Sequence, residues 1–214
     1  MGIEAVIWDF GGVITSSPFE AFNRFERERG LPHNFIRTVN STNPDHNAWA
    51  LFERSEIDTD RFDVLFAEES RALGQDVRGG EILPLLSGDV RPGMVAALKA
   101  CKAQFRVGCI TNNVHTGKGA GMASTSEKAA QVAEVMTLFD AVIESSKAGV
   151  RKPDPRIYQM MCETLEIHPS SCVYLDDLGI NCKPAAQLGM KAIKVQGEAQ
   201  ALAELSAIVG LTFA

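Results

Sequence analysis

Asp9 ends the apolar run Ile3-Glu4-Ala5-Val6-Ile7-Trp8 and is followed at once by Phe10-Gly11-Gly12-Val13. A short run of β-branched and aromatic residues reads as a strand buried on both faces, and glycines just beyond it let backbone approach a ligand closely. The same construction recurs at Ser171-Cys172-Val173-Tyr174-Leu175, which ends in Asp176-Asp177 with Gly179 beyond. Each aspartate alone reads equally as a turn cap. Side by side, the two strands would converge three carboxylates. Two carboxylates ~4 Å apart repel by about 4 kcal/mol at an effective dielectric of about 20, enough to keep one protonated unless a cation intervenes. Two further polar pieces stand at expected strand ends: Thr111-Asn112, and Lys152 in Arg151-Lys152-Pro153-Asp154-Pro155.

The elements that must position these residues alternate along the chain. After the first strand, the expected order is helix 91–103, strand 105–110, helix 127–138 and strand 140–143. Helix 155–166, strand 172–175, helix 180–188, strand 191–195 and a last helix over 199–208 complete it. Such alternation with short connections predicts an α/β fold with a doubly wound, Rossmann-like parallel sheet. The stretch from about Ser17 to Ser87 breaks the rhythm, being far longer than an ordinary connection, and reads as an inserted helical cap. The division is therefore a core of residues 1–16 and 88–214 and a cap of residues 17–87. Ser17-Pro18-Phe19-Glu20 reads as a capping box opening the first cap helix, with Phe19, Phe22 and Phe25 along one face. A second cap helix runs from Asp58 or Thr59 to Leu73 and stops at Gly74. Its phenylalanines read as the cap's own core.

Composition narrows the function. The chain has 214 residues, 45% of them hydrophobic, and a formal charge of −6. An acidic surface without a basic stripe argues against nucleic acid and anionic membranes as partners. No apolar stretch reaches membrane-spanning length and no targeting segment is evident at the amino terminus, which points to a cytoplasmic protein. The cysteines (Cys101, Cys109, Cys162, Cys172 and Cys182) fall on apolar positions without metal-site spacing and read as reduced core residues. The histidines His33, His46, His115 and His168 suggest no metal site. Thr116 to Ser126 is glycine-rich, but it lacks P-loop spacing and reads as a surface loop able to fold over a site.

The set of Asp9, Thr111-Asn112, Lys152 and Asp176-Asp177, in this order and over nearly the whole chain, resembles the haloacid dehalogenase superfamily of aspartate-nucleophile hydrolases. Asp-Phe-Gly-Gly-Val, the cap directly after it, Arg-Lys-Pro-Asp-Pro-Arg-Ile-Tyr and Leu175 to Asn181 look most like the phosphatase domain at the amino terminus of soluble epoxide hydrolase. No epoxide-cleaving part is expected in this chain. The resemblance implies a first strand lying between the second and the fourth, with Asp9 at the switch in strand order. It further implies Asp9 as the nucleophile that forms an aspartyl-phosphate on a small phosphorylated metabolite. Thr111, through its hydroxyl, and the Asn112 backbone N–H would hold phosphate oxygens, while Lys152 pairs with phosphate and keeps Asp9 ionised. Asp9, the Gly11 carbonyl and Asp177 would hold Mg²⁺, with Asp176 beside Asp177 or one step behind it. Charge supports the ion independently, because three carboxylates, a lysine and a divalent cation sum to zero, and Mg²⁺ is the small hard cation that shares oxygen ligands with phosphate.

Two positions depart from the pattern. Most phosphatases of the superfamily carry an acid two residues after the nucleophile, where this chain has Gly11. A glycine cannot move a proton, so either the leaving group needs little protonation, as in an anomeric or acyl phosphate, or His115 or a cap residue substitutes. Asn181 stands where some relatives have another acid, which should weaken metal affinity modestly. A metal-independent dehalogenase and a non-catalytic phosphate-binding protein stay open as alternatives, and oligomeric state is not legible.

Overall fold

The computed structural model describes residues 2–114 and 125–213. Strand β1, Ala5–Trp8, has every side chain fully buried. Val6 and Trp8 face one apolar cluster and Ala5 and Ile7 face another, as the two-residue period of a strand requires. A tight turn over residues 10–14 follows and closes on a 3.0 Å hydrogen bond from the Thr15 N–H to the Phe10 carbonyl. The chain then enters helices α1 (Pro18–Arg29), α2 (Phe35–Ser41), α3 (Ala48–Glu53), α4 (Thr59–Ala72) and the short α5 (Gly79–Ile82), which continues into a 3₁₀ turn at Leu83–Leu86. The remainder alternates: α6 (Pro92–Lys102), β2 (Arg106–Thr111), α7 (Ser126–Met136), β3 (Ala141–Glu144), short α8 (Ser145–Ala148), α9 (Pro155–Leu165), β4 (Cys172–Asp176), α10 (Gly179–Gln187), β5 (Lys191–Lys194) and α11 (Glu198–Val209).

The five strands are all parallel in the order β3-β2-β1-β4-β5, so β1 is central and flanked by β2 and β4. Residues of α6, α7 and α11 cover one face and residues of α9 cover the other. This is the expected doubly wound α/β fold with the expected strand order. The register pairs Trp8 with Leu175, and the Asp9 N–H donates to the Leu175 carbonyl at 2.8 Å, so Asp9 and Asp176 emerge side by side.

Residues 18–86 pack around a third apolar cluster that includes Phe22, Phe35, Phe52, Phe62 and Phe66, so the phenylalanines serve the insert's core, which Val114 enters from beyond β2. Burying each such ring contributes roughly 1.5–3 kcal/mol. Phe52 stacks on Phe62 with centroids 4.6 Å apart. The two passages between sheet and insert run together: Thr15 bridges Val90 antiparallel, and Ser16 N–H donates to Asp89 O at 2.8 Å. A side chain at Gly88 would strike Thr15 and the Ser16 carbonyl, so close passage there requires glycine.

Helix α4 is capped as its sequence suggests, with the Asp58 carboxylate accepting from the Arg61 N–H at 2.8 Å. The capping box at Ser17 does not form. Ser17 is the residue before α1, yet its hydroxyl makes no capping bond and donates instead to Asp177 Oδ2 at 3.1 Å. The fold puts a carboxylate within reach, and the hydroxyl is aimed as a donor to that charge instead of accepting from the first N–H groups of α1. Helices α2, α3 and α8 carry too few turns to leave a periodic trace. His115 and most of the glycine-rich segment lie outside the described residues. The five cysteines are free thiols, buried except for half-buried Cys182. Among the described residues no helix is long and apolar enough to cross a membrane.

Candidate active site

At the carboxyl ends of β1 and β4, one oxygen from each of Asp9, Asp176 and Asp177 lies within 4.8 Å of the others. Lys152 enters the same cluster from the segment between α8 and α9 and is almost wholly buried. Its ammonium contacts Asp9 Oδ1 at 2.7 Å, Asp176 Oδ2 at 2.9 Å and the Ile110 carbonyl at 3.0 Å, so its three donors meet three acceptors. Asp9 Oδ1 also accepts from the Phe10 N–H at 2.7 Å. Among the described residues both donors to Asp9 fall on Oδ1, and Oδ2 accepts from neither.

The turn after β1 makes room for this convergence. Gly12 has φ +79°, and a Cβ there would land on the Asp177 carboxylate, so glycine is required twice over. Gly11 has ordinary extended backbone, φ −68° and ψ 130°, and open space where a side chain would begin.

The two neighbouring aspartates differ sharply. Asp176 is fully buried and accepts from Tyr174 Oη (2.5 Å), Lys152 Nζ (2.9 Å), the Leu178 N–H (2.8 Å) and the Asn181 amide, 3.1 Å from each carboxylate oxygen. Its lone pairs are occupied by protein donors, which suits it to hold Lys152 rather than an ion. Asp177 is half-buried and accepts from Ser17 Oγ alone among side chains of the described residues. Asn181, which the sequence marks only as a missing acid, here supplies a donor that an acid could not.

Burial pushes Asp9 well above the ordinary carboxylate range, with Asp176 and Asp177 adding to the effect and Lys152 opposing it. Burial and the nearby Asp176 carboxylate push Asp177 up to about 6, against the Ser17 hydrogen bond. Burial works against the Lys152 charge, but Asp176 and Asp9 outweigh it and raise its pKa, so the lysine stays an ammonium. Three acids around one ammonium leave an excess of negative charge, and a hard divalent cation among the carboxylates fits that donor set.

Asn112 grips Lys152 from just beyond β2: its Oδ1 accepts from the Lys152 N–H at 2.9 Å and its Nδ2 donates to the Lys152 carbonyl at 3.0 Å. Thr111 ends β2, buried, at the same edge, without a side-chain bond into the acidic cluster. Tyr174, Ser17 and Asn181 complete the surroundings. Tyr174 was findable, because the strand period places it on the same face as Asp176, two residues on.

A parallel sheet with acids and a lysine gathered where β1 meets β2 and β4 defines an α/β protein whose site lies at the switch in strand order. The chain belongs to the haloacid dehalogenase-like hydrolase family, whose profile matches residues 3–189. It is 32% identical over 212 residues to mouse acyl-CoA dehydrogenase family member 10, covering 96% of this chain and 19% of that protein. It is 29% identical over 225 residues to pig bifunctional epoxide hydrolase 2, covering 99% of this chain and 40% of the relative, so it spans a minor part of both. The Mycobacterium tuberculosis phosphatase MT3486 is 26% identical over 212 residues, covering 94% of this chain and 90% of that protein. In structure the chain is similar to a HAD family enzyme of Bacteroides thetaiotaomicron crystallised with magnesium and inorganic phosphate, with TM-score 0.59, 20% identity, and coverage of 91% and 95%. At these identities the structural likeness speaks for the fold.

Proposed function

We propose that this hydrolase is a Mg²⁺-dependent phosphatase of small phosphorylated metabolites that works through a phosphorylated Asp9. The observation that carries the reading is the convergence of Asp9, Asp176 and Asp177 around one buried ammonium. The kinship to phosphatase MT3486 and the fold shared with an enzyme that holds magnesium and phosphate support it.

Asp9, Asp177 and the Gly11 carbonyl would hold the ion, with Asp176 behind them; when bound, it would supply positive charge to the phosphoryl oxygens and the acids. Lys152 and the Phe10 N–H fix Asp9 Oδ1, so Oδ2 attacks phosphorus; the Oδ2–P bond forms as the bond from phosphorus to the leaving oxygen breaks. Once Asp9 is esterified it no longer offers Lys152 a full charge, and the ammonium turns to a phosphoryl oxygen. Thr111 and the Asn112 N–H hold the remaining oxygens. Water then attacks phosphorus and its protons stay with the departing phosphate as the Oδ2–P bond breaks, which returns Asp9 as a carboxylate. Position 11 offers no side chain to protonate the leaving oxygen, so esters with good leaving groups, such as anomeric or acyl phosphates, are the favoured class. Residues 17–87 act as the cap on this site, consistent with their apolar core and the paired passages at residues 14–17 and 87–91.

A screen of phosphate esters with Mg²⁺, run beside Asp9→Asn and with a chelator, tests the reading. Phosphate release that needs the metal and is lost in Asp9→Asn is expected. Halide release from a 2-haloacid that survives the chelator would replace the reading with a dehalogenase, and no turnover of any ester would overturn it.

A further inference from the structure

The insert touches the site at a second place, remote from the paired passages. Glu53, the last residue of α3, is buried, which is unusual for a carboxylate and demands partners. Within the insert its Oε1 accepts from Trp49 Nε1 at 3.0 Å. Its Oε2 reaches across to the sheet domain, 2.5 Å from Arg151 Nε and 3.4 Å from Asn112 Nδ2. The contact with Arg151 is ionic, since that N–H is not aimed as a hydrogen bond. Arg151 also returns a hydrogen bond to the insert, from Nη1 to the Pro44 carbonyl at 3.0 Å.

Both partners flank the same residue. Arg151 precedes Lys152 in the chain, and Asn112 holds both backbone polar groups of Lys152. The Asn112 amide has two N–H groups: one goes to the Lys152 carbonyl and the other faces Glu53. An anion at that second N–H reinforces the orientation of the amide in which Oδ1 accepts from the Lys152 N–H and Nδ2 donates to the Lys152 carbonyl.

We propose that Glu53 is a positioning residue carried by the cap. By orienting Asn112 and anchoring Arg151, it sets the backbone of Lys152 and so the place of the ammonium beside Asp9. The arrangement around Lys152 is then complete only while α3 is seated against Asn112 and Arg151. The kinetic part of this claim rests on the phosphatase reading; the positional part does not.

Two measurements on Glu53→Ala and Glu53→Gln test it: amide hydrogen exchange at Lys152, and kcat, KM and Mg²⁺ half-saturation with p-nitrophenyl phosphate. Expected for Glu53→Ala are faster exchange of the Lys152 amide and a kcat lower by about 10- to 100-fold, as small misplacements of catalytic groups produce. Mg²⁺ half-saturation should move less than kcat, because Glu53 touches none of the three acids and reaches them only through Lys152. Glu53→Gln, which can still accept from Asn112 but loses the ion pair, should fall between, and it decides the matter if the alanine variant does not fold. Ser55→Ala removes another contact between insert and sheet, a 2.9 Å bond to the Ser146 carbonyl, and should leave kcat unchanged. Unchanged Lys152 exchange in both Glu53 variants overturns the proposal, as does an equal loss in Ser55→Ala. If the wild-type protein hydrolyses no phosphate ester, the phosphatase reading falls while Lys152 exchange still judges Glu53.

Discussion

The sheet's carboxyl edge and the helical insert are both buried, but they bury opposite things. At the edge, four ionisable groups share a space a few ångströms across, and each is held by hydrogen bonds or ion pairs from elements distant in sequence. In the insert, phenylalanines fill a core in which one apolar shape can replace another. Charge at close quarters is intolerant of change because removing one partner leaves another unpaired, whereas an apolar core loses mainly volume. Function should therefore fail first at the edge and at Glu53, which reaches it, while changes in the insert's apolar core should alter stability and substrate choice before they abolish turnover.

Lys152→Met is the sharpest challenge to that contrast. It strips the shared cation from Asp9 and Asp176, and breaking a buried pair in this way costs about 3–5 kcal/mol. Urea unfolding should show a loss of that order together with loss of phosphatase turnover; a stable, active Lys152→Met protein would mean the edge is as forgiving as the insert.

Gly11→Asp runs the other way, adding a group where backbone and space allow one. If protonation of the leaving oxygen limits the enzyme, turnover of an unactivated alkyl phosphate should rise by about 10²-fold, the lower end of general acid catalysis. Activated esters should gain much less. A uniform gain or loss across leaving groups would remove the missing proton donor from the account.

Asp177 gives a pH signature. Its folded pKa, about 6, is above the ordinary carboxylate value, so its protonated form favours the metal-free fold at acid pH. That contribution is complete below the unfolded pKa and is lost as pH rises through about 6. On the proposed reading Mg²⁺ binds the Asp177 carboxylate, so its affinity should fall about tenfold per pH unit below that point, roughly 1.4 kcal/mol each. Melting temperatures with and without Mg²⁺ should separate more at pH ~7.5 than at pH ~5; equal separation would take Asp177 out of the ligand set.

Phe62→Leu, in the middle of the insert's aromatic cluster, should do least to turnover. Losing ring volume and its contacts with Trp49, Phe52 and Phe66 should cost about 1–3 kcal/mol of stability, but kcat should stay within a few-fold of wild type. A collapse of activity with the fold intact would show that the insert, too, works to fine tolerance.

Much of the edge was readable in advance. Asp9 and Asp176-Asp177 announce themselves because a buried parallel strand has a local signature and a glycine turn must follow it. The alternation of elements was likewise local, and it led to the sheet order through the resemblance. Lys152 was nominated by its motif alone, since nothing in Arg151-Lys152-Pro153 says that its ammonium will be buried. Ser17 was legible as a cap and turned out to serve Asp177. Asn181 was noticed for the acid it is not, and its donation to Asp176 could be seen only once α10 was packed beside β4. Glu53 gave no signal at all, being one more acid on a short helix.

Periodicity, glycine spacing and charge type are properties of neighbouring residues, so they settled which strands exist and where the acids emerge, and they pointed to positive charge among them. Which acid Lys152 shares, which aspartate keeps open coordination, and which residue of the insert reaches the site depend on contacts across tens of residues. The energy of those contacts varies steeply with distance and burial, and only the packed chain sets either one.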